Sequence, residues 1–376
     1  MKTNITEHFS SLKDPRIDRK KLHALMDIII LMICGIISGA EGWEAIEEFG
    51  HEKLNWLRKF IPLKNGIPSH DCIAYVISRL SVKGFQECFM AWSQTASEQT
   101  GGQIINIDGK TVRGSRDKSN HRNPLHMVSA WATNNRLVLG QEAVNEKSNE
   151  ITAIPKLLAL LELKGCLVTL DAMGCQREIA AQIVEQGGDY VLSLKGNQGA
   201  LHEAVKDFFD TASVHDYAYL QHDFREEIDK GHGRLEIRRY WVTINTQHLD
   251  TLPSVEKWKG LMSMGMVERR CRIGEKQTCE RRYFVNSIAA DAKLFSEAVR
   301  GHWGIENHLH WRLDVLFRED ASRIRKGNAP AIMATVRHLC LGLFDVDTTI
   351  SNLAKKRRKA SWNDRYRANI VFGKYF

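Results

Sequence analysis

Three regimes of hydrophobic spacing follow one another along the chain. Up to about residue 95 the apolar positions are helical: Leu22 to Gly39 is apolar nearly all round, as in a buried helix, and Ile73, Val76, Ile77 and Leu80 recur at helical spacing. Behind Pro68, either Ser69 or Asp71 can cap the second of these helices. From Ile104 the period changes to two. Ile104 to Asp108, His126 to Thr133 and Leu137 to Glu142 read as strands, with Gly109 and the Asn134–Asn135 pair as turns. A helix carrying Ile154, Leu157, Leu158 and Leu161 comes next, then a strand ending in Asp171. A helix through Ile179 and Ile183 stops at Gly187–Gly188, and Tyr190 to Leu194 forms a further strand. The order is β-β-β-α-β-α-β.

A three-strand meander followed by two crossover units is how a ribonuclease H-like sheet is built. In such a sheet the first and fourth strands are neighbours, so Asp108 and Asp171, 63 residues apart in sequence, are expected side by side at one end. Beyond them Leu235 to Ile244, Leu261 to Arg272 and Arg281 to Asn286 alternate again and read as a β-rich insertion, and His302 to Phe317 reads as a helix. The fold class expected is α/β: a ribonuclease H-like core interrupted by a β-rich insertion, with a helical N-terminal domain. The divisions expected are 1–98 helical, 99–200 first part of the core, 201–288 insertion, 289–350 second part of the core, and 351–376 a basic tail. The N-terminal helices read as a packing unit more readily than as a helix-turn-helix, because no tight turn followed by a base-reading face can be identified.

Composition adds charge to this picture. The 376 residues hold 53 bases against 45 acids, a net +8, and Lys355, Lys356, Arg357, Arg358 and Lys359 form one consecutive basic run. Such a run tracks phosphates by charge alone, or is a solvated face. The eight cysteines include no Cys-x-x-Cys pair, which indicates neither a zinc framework nor a disulfide framework and fits a reducing cytosol. Ile28 to Ile37 is the most apolar stretch and falls short of the roughly 20 residues a membrane span requires, so no membrane association is expected.

The candidate chemistry lies in three carboxylates. Alternation places Asn106 and Asp108 on the face opposite Ile105 and Ile107, so that the Asp108 carboxylate emerges where the sheet meets solvent. Asp171 closes a second strand among the small residues Ala172 and Gly174, and Lys195 with Asn197 follows one strand later as a candidate phosphate clamp. His302, Glu306, His310 and Asp314 recur every four residues, one polar column beside an apolar stripe of Ile305, Leu309, Leu313 and Leu316. A zinc site is disfavoured because His-Glu-x-x-His is absent. Carboxylates presented this way are the hard ligands that hold two Mg²⁺ ions for phosphodiester chemistry.

These motifs reach a known family. Asn106-Ile107-Asp108-Gly109-Lys110, the run Glu146 to Pro155, Leu170-Asp171-Ala172-Met173-Gly174-Cys175-Gln176, Lys195-Gly196-Asn197-Gln198, His232-Gly233-Arg234 and the block His302 to Asp314 resemble the H-repeat-associated (Rhs element) insertion-sequence transposases of DDE type, from about residue 7 to about residue 370. The resemblance implies a ribonuclease H-like core, Mg²⁺ dependence with Mn²⁺ as a substitute, and cutting and joining of double-stranded DNA at the element's ends and in its target. It implies Asp108, Asp171 and Glu306 as the metal-binding triad, with Asp314, Glu319 and Asp320 as rivals to Glu306. It also implies a homodimer holding two ends. Related transposases with a β insertion carry Tyr-x2-Arg-x3-Glu-x6-Lys around the glutamate. This chain instead has His302 at the arginine position, Leu313 at the lysine position and no tyrosine near Phe295, Ser296 and Val299.

The expected function is therefore metal-dependent DNA strand cleavage and strand transfer by a cytoplasmic, nucleoid-associated enzyme. Lys110, Arg113, Lys195, Asn197, His302 and Arg312 are the expected nucleic-acid contacts, and Trp241 or Trp258 is a candidate platform for an unpaired base. The rivals are a catalytically silent DNA-binding derivative and a nuclease without strand transfer.

Overall fold

The computed structural model describes residues 5–97, 103–144, 150–231, 233–244 and 252–373. The motif positions Glu146 to Asn149 and His232 lie outside these described residues. The chain opens with helices α1 (Ile5–Phe9), α2 (Leu25–Ser38), α3 (Trp43–Glu52), α4 (Leu54–Leu57), α5 (His70–Ile77) and α6 (Val82–Ser97). Strands β1 (Ile104–Val112), β2 (Leu125–Ala132) and β3 (Leu137–Val144) follow, then α7 (Glu150–Leu158), β4 (Leu167–Leu170), α8 (Arg177–Glu185), β5 (Asp189–Leu194) and α9 (Gly199–Val214). Four strands come next: β6 (His222–Gly231), β7 (Arg234–Thr243), β8 (Ser263–Ile273) and β9 (Lys276–Asn286). The chain closes with α10 (Ala292–Ile305), α11 (Trp311–Phe317), α12 (Ala329–Val346), α13 (Leu353–Trp362) and α14 (Asp364–Phe372).

The result is a mixed α/β protein with two compact units, one of residues 1–100, 109–147 and 306–376, the other of residues 101–108 and 148–305. Strand β1 passes from the second unit into the first after Asp108.

In the first unit the C-terminal half of β1 joins the β2–β3 hairpin, and the helices of residues 5–97 pack with α12, α13 and α14. Its core is α2, in which every residue from Asp27 to Ile37 is buried, together with α12. Ser69 caps α5, its hydroxyl accepting from the Cys72 amide at 3.2 Å. Residues 18–38 and Ala329–Val346 are apolar enough to pass a membrane-span test on composition, with 67% and 83% of their apolar windows buried inside the protein. The α-helical part of the first is the 14 residues of α2, about 21 Å long against a hydrocarbon core of about 30 Å.

The basic run folds as helix α13. Its bases divide by helical geometry: Lys355, Arg358 and Lys359 face solvent, Lys356 is buried and donates to the carbonyls of Phe344 and Asp347, and Arg357 donates to the Leu316 carbonyl. Helix α14 buries Arg367 against the Trp56 ring, 4.2 Å from its centroid.

In the second unit the strand order is β1-β4-β5-β9-β8-β7-β6. Strands β1, β4 and β5 are parallel, with α7 and α8 in the connections, so the sequence order of meander and crossovers is realised. β9 pairs antiparallel with β5, and the four strands of residues 222–286 extend this sheet. Strand β6 escapes hydrophobic patterning because its sequence, HDFREEIDKG, is mostly charged. Cross-strand ion pairs hold it instead, such as Arg239 with Glu226 at 2.7 Å. Helix α10 packs on β4, β5, β6 and β7, and a core of Val191, Tyr240, Val242, Val267, Phe284, Phe295 and Val299 forms beneath it. Gly265 leaves the room that Phe295 occupies, since a β-carbon there would run into the phenyl ring.

The two tryptophans expected as base platforms are core residues. Trp241 is 5% exposed and packs on Tyr217 and Phe224, and Trp258 is 3% exposed. Burial of this degree leaves neither indole a face open to a base.

Candidate active site

In the second unit the parallel register pairs Asn106 with Thr169 and Ile107 with Leu170. The next positions are Asp108 and Asp171, so each aspartate follows directly on the last paired residue. Asp171 is oriented by its own turn: Oδ1 accepts from the amides of Met173 at 3.0 Å and Gly174 at 3.1 Å. Gly174 is needed for the tightness of that turn, because a β-carbon there would stand 2.9 Å from Leu170 Cδ2.

A buried polar chain lies two residues behind the aspartates. The Thr169 hydroxyl donates to Asn106 Oδ1 at 2.8 Å, and His302 Nδ1 lies 3.0 Å from the same hydroxyl. With the hydroxyl proton committed to Asn106, the imidazole donates through Nδ1. Asn106 is 0% exposed, so its side chain lies in the interior and is held by the Thr169 hydroxyl. Burial holds the His302 imidazole down at about 4, against the upward pull of the Asp171 carboxylate. His302 is thus neutral at pH 7. It was expected as a phosphate contact, and in this geometry it brings a hydrogen bond without a charge.

The other expected contacts in this unit separate. Lys195 is exposed just beyond β5. Asn197 donates to the Ala172 carbonyl, and Gln198 Nε2 donates to the Cys175 carbonyl at 2.9 Å, so both amides brace the turn that carries Asp171.

Glu306, in the first unit, is exposed at the start of a π-helical turn, Glu306–His310. The expected helical run from His302 to Phe317 is present, with a π turn set between α10 and α11. The wider i→i+5 turn takes His310 and Asp314 off the column that spacing of four assigned them, while Leu309, Leu313 and Phe317 stay buried. Such turns recur at functional sites, which is a reason to attend to Glu306.

The same unit holds a charge network that spacing alone conceals. Lys110 Nζ lies 2.8 Å from Asp314, 3.2 Å from Asp320 and 3.8 Å from Glu319, and its side chain is 10% exposed. Burial alone would lower the ammonium, but the hydrogen bond it donates to Asp314 and the three negative charges raise it. Glu319 is 1% exposed, with Arg337 also 3.8 Å away, and neither of its oxygens has a hydrogen-bond partner among the described residues. Burial pushes its carboxyl up. Arg113 is exposed and its amide donates to Asp320. Arg312 makes a two-pronged pair with the buried Asp345 at 2.7 and 2.9 Å. The charges of Lys110 and Arg312 are thus already matched inside the protein.

The aspartate pair offers hard oxygen donors of the kind Mg²⁺ takes, and Asp171 is held by backbone amides as a metal ligand needs to be. Among the described residues no group of three His, Cys, Asp or Glu side chains stands ready to hold a metal.

Comparison with known proteins agrees with the motifs. The family described as Transposase DDE domain matches residues 99–343, and the family described as DDE_Tnp_1-associated matches residues 6–93. The chain is 41% identical over 374 residues to the "H repeat-associated putative transposase YhhI" of Escherichia coli K12, covering 98% of each. It is 42% identical over 372 residues to the "Putative transposase YncI" of Escherichia coli O157:H7, covering 98% of this chain and 94% of that one. A shorter relative named "Inactive transposase YbfQ", from Escherichia coli K12, is 49% identical over 75 residues, 20% of this chain. With matches of this extent, the chain belongs to the DDE transposases and, within them, to the H repeat-associated group.

Proposed function

We propose that this protein is an active DDE transposase with a ribonuclease H-like core that cleaves double-stranded DNA at insertion-sequence ends and joins them to a target. The observation that supports this most is the register of β1 and β4, whose parallel pairing stops at Ile107 and Leu170, one residue before Asp108 and Asp171. Glu306 completes the acidic triad by its motif position. Two Mg²⁺ ions, or Mn²⁺ in their place, would supply Lewis acidity to the attacking and leaving oxygens of an in-line displacement. Asp108 and Asp171 contribute oxygen ligands, and the amides of Met173 and Gly174 keep the Asp171 carboxylate aimed. Lys195 and Arg113, both exposed, remain the expected side chains for phosphates near the reaction. The enzyme is read as a dimer when holding two ends, acting in the cytoplasm on the nucleoid.

The test is cleavage of a labelled duplex carrying the element's ends, in Mg²⁺ and in EDTA, with wild type and Asp171→Ala. Metal-dependent nicking that disappears in the variant, followed by joining to a target plasmid, is the expected result. Binding without cutting in either Mg²⁺ or Mn²⁺ would place this copy with the silent derivatives, and nicking without joining would make it a nuclease.

A further inference from the structure

The first unit contains a pocket of about 750 Å³ whose lining includes none of the three proposed catalytic carboxylates. Four cations line it: Arg122, Arg323, Arg325 and Lys326. All four are exposed, and among the described residues none is paired with a carboxylate. Its two acids are already engaged, Glu41 by Arg318 at 3.3 Å and Asp117 by the side chains of Ser119 and Asn120. With four cations against two carboxylates, Asp117 staying anionic beside its neutral partners, the pocket lining is net positive, and the start of the 18-residue helix α12, whose dipole has the same sign, forms part of its wall.

The basic segment of residues 323–326 is also held rigidly. On one side Arg325 Nε donates to the Gly114 carbonyl at 3.0 Å, and Gly114 sits so close to the backbone of Asp320 and Ser322 that a β-carbon could not fit. On the other side Gly327, at φ +55°, presses against the Ser78 carbonyl, and Asn328 donates from its amide to Ser78 and from its side chain to Leu80. A loop clamped at both ends presents its charges without the ordering cost a mobile loop would bear.

We infer that this pocket grips the phosphate backbone of double-stranded DNA, as an anchoring site apart from the cleavage carboxylates. The inference rests on the transposase reading for the identity of its ligand. Contacts of this kind position a duplex without reading its bases, and they disclose themselves in salt dependence.

The experiment is fluorescence anisotropy of a labelled duplex of about 25 base pairs, more than two helical turns, titrated with the full chain at several salt concentrations. The double variant Arg323→Gln/Lys326→Gln is expected to bind about tenfold more weakly, with a log K against log salt slope shallower by roughly 1.8. The charge-preserving variant Arg323→Lys/Lys326→Arg keeps the wild-type slope, and thermal melting confirms that both variants fold. Wild-type binding with an unchanged slope in the Gln variant overturns the pocket and leaves the transposase reading intact. Loss of affinity at unchanged slope also overturns it, since a structural defect does not alter the number of counterions released. A wild-type chain that binds no duplex removes the transposase reading and this inference together.

Discussion

Thr169 Oγ1 stands 2.8 Å from Asn106 Oδ1, joining β4 to β1 two residues behind Asp171 and Asp108. Both residues are buried, Thr169 at 2% exposure, and the hydroxyl is shared with His302 on α10. Thr169→Val keeps the shape and removes the hydroxyl, and with it the hydrogen bonds to Asn106 and His302. The expected cost is about 2–3 kcal/mol in urea unfolding, with Thr169→Ser recovering most of it. Equal stability of the Val and Ser variants would show that the chain of hydrogen bonds is incidental to the register.

Lys110 is expected to act on stability more than on DNA. Lys110→Met removes the cation shared by Asp314, Asp320 and Glu319, leaving buried Glu319 with Arg337 alone, and should cost about 3–5 kcal/mol. Adding Glu319→Gln should return part of that loss, a coupling that a double-mutant cycle measures. If Lys110→Met instead melts like wild type while the salt slope of DNA binding falls by roughly 0.9, Lys110 is a phosphate contact after all.

Acid should weaken the fold through two neutral histidines. Burial holds His302 and His338 each at about 4, and His338 Nδ1 is spent on the Ala334 carbonyl while its Nε2 has no partner among the described residues. The unfolded chain binds protons below about pH 6.5 and the folded chain only near pH 4, so stability is intact above 6.5 and declines as pH falls through that window. Each histidine contributes up to about 3 kcal/mol to the decline. Unfolding free energies measured from pH 7.5 to 4.5 check this, and His338→Gln should flatten the slope. A slope identical to wild type would falsify the assignment for that residue.

Asp108→Asn preserves size and hydrogen bonding but removes a charge from the aspartate pair. Cleavage should fall by at least about a hundredfold while duplex affinity and its salt slope stay as in wild type. Retained cleavage would take Asp108 out of the chemistry. A parallel loss of binding would indicate a structural role within β1.

Periodicity alone determined a good deal of this protein. The change from helical to alternating spacing at Ile104, the crossover helices at Ile154 and Ile179, and the strands that lead to Asp108 and Asp171 are local signals, because each depends only on which residues must face a core, although β1 runs on to Val112 through Gly109, which was expected to turn. Through the ordinary rules of parallel crossovers they also placed β1 beside β4, and the family motifs carried the identity. Tertiary structure decided the rest. Strand β6 exists because Arg239 and its neighbours neutralise charges that look like a loop in sequence. A π turn, invisible to i+4 counting, separates Glu306 from Asp314, and Asp314 is then drawn to Lys110 from 204 positions away. His302 and Arg312 have the composition of phosphate contacts, but burial makes one neutral and Asp345 pairs the other. Charge type is written in a residue. Whether that charge is free for a ligand depends on solvent and partners, and those are fixed only when distant segments meet.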